Sequence, residues 1–124
     1  MSISFGFPHR NLELSVQAAM AAMGVAAAKT WPVILGDMLA WSATDKGLAR
    51  IDVQETPFGA HVTFVPWRQI GEVGVRVSQT TDTHEPTAQL RVPKQGIELA
   101  VPRAVAGTPE WDFVQAVLDY SASA

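Results

Sequence analysis

Cysteine is absent from this chain of 124 residues, which excludes a disulfide frame, a thiolate nucleophile and a cysteine-ligated zinc. The absence suits a reducing compartment, and the cytoplasm is the expected location. Positive charge is scarce too: nine Lys and Arg stand against twelve Asp and Glu, a formal net charge of −3. Nucleic acid and anionic membrane surfaces both call for a basic patch, so neither is an expected partner. No apolar run approaches the roughly 18 residues that a membrane span needs. Residues 9–28 include the run "AAMAAMGVAAA", but Asn11, Glu13, Ser15 and Gln17 precede and interrupt it behind a thin basic start. A signal peptide is therefore not expected.

The signatures of common chemistries are missing as well. There is no G-x-S-x-G elbow, no G-x-x-x-x-G-K-[ST] loop and no G-x-G-x-x-G fingerprint. His9, His61 and His84 are far apart and lack the i, i+4 spacing of a zinc helix. "Asp82-Thr83-His84-Glu85" gathers two carboxylates and an imidazole, but in a hairpin loop such a group reads as solvated. Asp37, Asp45, Asp52 and Glu55 lie in or beside strands with nothing to pair two of them across a cleft. Asp37 interrupts the apolar "ILGDMLAW". It is either exposed or buried with a partner such as Arg50, and exposure is cheaper because acids are seldom buried alone. No catalytic residue, metal site or cofactor is expected, and the reading leans away from an enzyme.

Hydrophobic residues make up 48% of the chain, enough for a core, and the length suits one domain, 1–124. Residues 1–10 alternate weakly at Ile3, Phe5 and Phe7, as an edge strand or an arm. Residues 11–24 are expected to form a helix, with Asn11 as N-cap, Gly24 as stop, and Leu12, Val16, Ala19, Met20 and Met23 on one face. Residues 25–31 fit either a helix or a strand, and Pro32 is expected to stop both. From 33 to 103 the period is 2, broken by "TDKG", "TPFGA", "TTDTHEPT" and "PKQG". Short turns and one wet face per strand imply an antiparallel meander of about six strands. In "IGEVGVRVSQ", Val73, Val75 and Val77 are expected on the buried face. At residues 108–121, Thr108-Pro109-Glu110 caps an amphipathic helix that buries Trp111, Phe113, Val114, Val117, Leu118 and Tyr120. Asp112, Gln115, Ala116 and Asp119 take its other half.

The step Val65-Pro66-Trp67-Arg68-Gln69-Ile70-Gly71-Glu72-Val73 ends one strand and starts the next. Together with "VILGDMLAWSATDKGLARIDV", two later β segments and the capped helix, it resembles a bacterial pleckstrin-homology-like (GRAM-type) domain over about residues 33–121. The resemblance implies an α+β fold: a bent sheet or partly open barrel with the C-terminal helix packed on it. Phosphoinositide binding is not expected, because the first hairpin offers only Lys46 and Arg50, beside Asp45 and Asp52. The alternative is a helix-first, cone-shaped sheet of the NTF2-like kind.

Two functional expectations follow. The first is a non-enzymatic module that binds a protein partner, or another copy of itself, through a sheet edge or groove. The chain has four tryptophans: Trp31, Trp41, Trp67 and Trp111. Of these, Trp67, with Arg68, either covers an open sheet end or contributes to that surface. The second is a small-ligand binder or enzyme with an apolar pocket, into which His61 or Asp37 would point.

Overall fold

The computed structural model describes residues 2–6, 21, 24–35, 39–54, 59–79 and 86–123. The chain divides into two compact units, residues 1–66 and 67–124. The first is a five-stranded antiparallel sheet of β1 (Ser2–Gly6), β2 (Thr30–Ile34), β3 (Leu39–Thr44), β4 (Gly47–Gln54) and β5 (Gly59–Pro66), in the order β1-β5-β4-β3-β2. Alternation decides which side chains enter the core. Ala40 and Ser42 of β3, Ala49 and Ile51 of β4, and Val62 and Phe64 of β5 share one face, and all are buried. On the other face Val33, Trp41, Ala43 and Leu48 are also buried, whereas Arg50 is exposed and Asp52 and His61 are half-buried.

The β3–β4 hairpin turns on "TDKG". The buried Thr44 hydroxyl accepts from the Lys46 and Gly47 amides and donates to the Gly47 carbonyl at 2.9 Å. Asp45 reaches outward, its Oδ1 accepting from the Ala28 and Lys29 amides at 2.9 and 3.2 Å. Gly47 leaves no room for a side chain: a Cβ there would lie 2.3 Å from the Val65 carbonyl oxygen and 2.4 Å from the Phe64 ring.

The second unit opens with a single helical turn, α1 (Trp67–Ile70). Its end is set by Gly71 at φ +78, a left-handed conformation that costs glycine little. The Gln95 side chain also donates to the Gln69 carbonyl at 2.7 Å. Three antiparallel strands follow in the order β6-β7-β8: β6 (Gly74–Gln79), β7 (Pro86–Val92) and β8 (Ile97–Val101). A 3₁₀ turn at Pro93–Gln95 joins the last two. Helix α2 (Pro109–Ser123) is capped as its sequence predicts, with the Trp111 amide donating to Thr108 Oγ1 at 3.2 Å.

Several expectations need correction. Residues 30–101 hold seven strands where about six were expected. Of the two alternatives for residues 1–10, edge strand or arm, the structure has the edge strand, β1, paired to β5. Pro32 does not stop the chain but lies within β2, where edge position tolerates a residue with no N–H. The run from Val33 to Thr44 is two strands, β2 and β3, paired with each other. In α2, Ala116 is buried with Phe113, Val114 and Val117, while Trp111 is only half-buried. At 100° per residue Ala116 closes an arc of about 160° through the other three, and Trp111 falls outside it. The expected helix at 11–24 lies outside the described residues except for Ala21 and Gly24.

Candidate functional site

Of the residues singled out from sequence, Trp67 is buried and stacks on Tyr120, ring centroids 5.8 Å apart and planes 10° from parallel. It holds α1 to α2, while Arg68 beside it is exposed. His61 is half-buried on β5, directly opposite Asp52. Asp52 is the partner that Arg50 takes, at 3.2 Å, and the same guanidinium lies 5.8 Å from the centre of the Trp41 ring. The half-exposed guanidinium thus lies over a buried indole, a cation–π arrangement. Asp37 and the Asp82–Glu85 loop lie outside the described residues. Trp67 and Arg68 fall in one unit and His61 in the other.

The described residues include no group of three or more His, Asp or Glu placed to hold a metal ion. A depression of about 370 Å³ is lined by Arg91, Pro93, Gly96, Ile97 and Glu98. Its charges neutralise each other, Arg91 and Glu98 meeting across β7 and β8 at 2.9 Å.

The edge of the three-stranded sheet is more informative. Val75 stands opposite Leu90, which stands opposite Leu99; Val77 stands opposite Ala88, which stands opposite Val101. These residues share one apolar face. Ala88, Leu90 and Val101 are fully buried, yet Val77 is 52% exposed. The cover over β7 and β8 thus thins along β6, from half-buried Val75 to exposed Val77. This corrects the expectation that Val77 is buried: alternation selects the face, but burial depends on what lies over it. On the opposite face Glu72, Gly74, Arg76 and Ser78 are exposed. Neither Glu72 nor Arg76 has an ion-pair partner among the described residues. β6 is a terminal strand of its sheet, so one side of its backbone has no neighbouring strand among the described residues.

Comparison with known proteins fits this architecture. No family model matches the chain, and no curated protein matches it in sequence. A solved structure of a DUF1696 family protein with a pleckstrin-homology domain, from Shewanella loihica PV-4, superposes with a TM-score of 0.54 at 17% identity, covering 97% of both chains. The fold is pleckstrin-homology-like. A pleckstrin homology domain from Shewanella amazonensis SB2B gives a TM-score of 0.49 at 17% identity, over 86% of this chain and 96% of that one. The pleckstrin-homology-like arrangement, two antiparallel sheets and a C-terminal helix, replaces the cone-shaped alternative. Among the described residues, no helix of this pleckstrin-homology-like chain is long and apolar enough to cross a membrane. Sequence reasoning passed over the β6 edge, although part of its signal was present: alternating valines interleaved with Glu72 and Arg76.

Proposed function

We propose that this pleckstrin-homology-like chain is a non-enzymatic binding and assembly module that takes an extended segment of polypeptide alongside β6. The observation that carries this reading is Val77, half-exposed although Ala88 and Val101, in line with it on the same face, are fully buried. An added strand would extend that face, cover Val77 and satisfy the outer backbone groups of β6. No proline interrupts β6, unlike β2, so every β6 residue keeps a backbone N–H.

The test is hydrogen exchange of the β6 amides in complexes isolated with the wild-type chain, set against the free chain at low concentration. Added protection at β6 amides that are not already bonded to β7 is expected in the complexes. Val77→Lys, which places a charge at the edge, is expected to abolish capture without lowering Tm. Unchanged β6 exchange in every complex recovered refutes the reading.

A further inference from the structure

We infer that the polypeptide lying along β6 is a second copy of the same chain, antiparallel and in register about Gly74; this rests on the edge reading above and adds its occupant. From residue 72 to residue 76 the sequence is Glu-Val-Gly-Val-Arg. Run against itself with Gly74 on a two-fold axis, Glu72 meets Arg76 and Val73 meets Val75, and both pairs recur beyond the axis. Centring on Val75 or Val77 instead sets Arg76 opposite Gly74 or Ser78, and centring on Arg76 sets two guanidinium groups face to face. Half-step registers place a valine opposite a polar residue and so mix the two faces of the sheet. Among these registers the Gly74 one alone pairs both charges.

The structure suits that register. Glu72 and Arg76 are exposed with no ion-pair partner among the described residues, and Val73 and Val75 are half-buried. At Gly74 an added Cβ meets nothing within 4 Å, so the axis position is open. Pairing prolongs β6 back to Glu72 and joins two three-stranded sheets into one of six. Val73 and Val75 of both copies then form a stripe continuous with Val77 on the apolar face, with two Glu72–Arg76 pairs on the other.

The chain has no native cysteine, which gives a clean cross-linking test. Gly74→Cys is expected to form a disulfide-linked dimer under mild oxidation, because opposed Cα atoms in an antiparallel pair lie within about 4.5–5.5 Å. Light scattering from about 1 µM to 1 mM, the range a small interface spans, is expected to show a monomer–dimer equilibrium. Glu72→Arg or Arg76→Glu alone turns two attractive pairs into two repulsive ones and is expected to weaken dimerisation roughly tenfold or more. The double variant restores it. A wild-type chain that stays at 13.3 kDa throughout, with no cross-link at position 74, overturns the inference. If β6 is protected in that case by a different polypeptide, edge binding survives and self-pairing does not. A dimer that ignores the charge reversals overturns the register. Absence of β6 protection in every complex overturns both readings.

Discussion

Gly47→Ala is expected to destabilise the protein by about 2 kcal/mol, through contact and not through backbone conformation. The added Cβ would sit 2.3 Å from the Val65 carbonyl oxygen, a backbone atom, and 2.4–2.5 Å from two carbons of the Phe64 ring. Phe64 is 2% exposed, so its ring has little room to swing aside, and β5 itself must move away from β4. Forcing an extra carbon into such a site costs about 1–3 kcal/mol, with backbone displacement at the upper end. Alanine recovers about 0.5–1 kcal/mol by restricting the unfolded chain. The balance near 2 kcal/mol corresponds to a fall in Tm of about 6–10 °C for a chain of this length. Differential scanning calorimetry, with urea titration as a second probe, measures it. Adding Phe64→Leu to Gly47→Ala is expected to cost less than the sum of the two single changes, since one of the two clashes is removed. A Gly47→Ala protein melting within about 2 °C of wild type, or strict additivity with Phe64→Leu, refutes the reasoning.

Thr108→Ala removes the oxygen that accepts the Trp111 amide and is expected to cost about 1 kcal/mol in chemical denaturation, with Thr108→Ser restoring most of it. Trp67→Ala empties a buried site stacked on Tyr120 and is expected to cost about 3–5 kcal/mol, against less than half of that for Trp67→Phe; both are read by thermal unfolding. Asp52→Asn breaks the Arg50 pair, which is largely solvent-exposed, and is expected to change stability by less than about 0.5 kcal/mol.

Features whose cause is local were legible in the sequence. Thr108-Pro109-Glu110 marks the start of α2 because cap, proline and first-turn acid act within one turn. Pro66-Trp67 marks the corner because a residue without an N–H ends the ladder there. The Pro93–Gly96 turn was visible for the same kind of reason. What escaped depended on distant parts of the chain. Whether Pro32 breaks a strand turns on β2 being an edge, which no window around Pro32 reveals. The division of residues 33–44 had an overlooked signal, the Gly36-Asp37 dipeptide between two alternating runs. Val77 was placed on the right face and given the wrong burial, because alternation cannot report where the cover over a sheet ends. The edge charges Glu72 and Arg76 were visible as residues, but their lack of ion-pair partners among the described residues is a fact of three dimensions.

The pairing of β1 with β5 bears on how the first unit assembles. Its first strand can be placed only against its last, so the hairpins β2–β3–β4–β5 form through short loops while Ser2–Gly6 waits for a long closure. Until that closure the outer side of β5 is an open template opposite Gly59–Thr63, of the kind that captures strands from other molecules. Truncations or bulky fusions that disturb residues 2–6 would prolong this exposure. Their first symptom would be aggregation during refolding, before any loss of equilibrium stability.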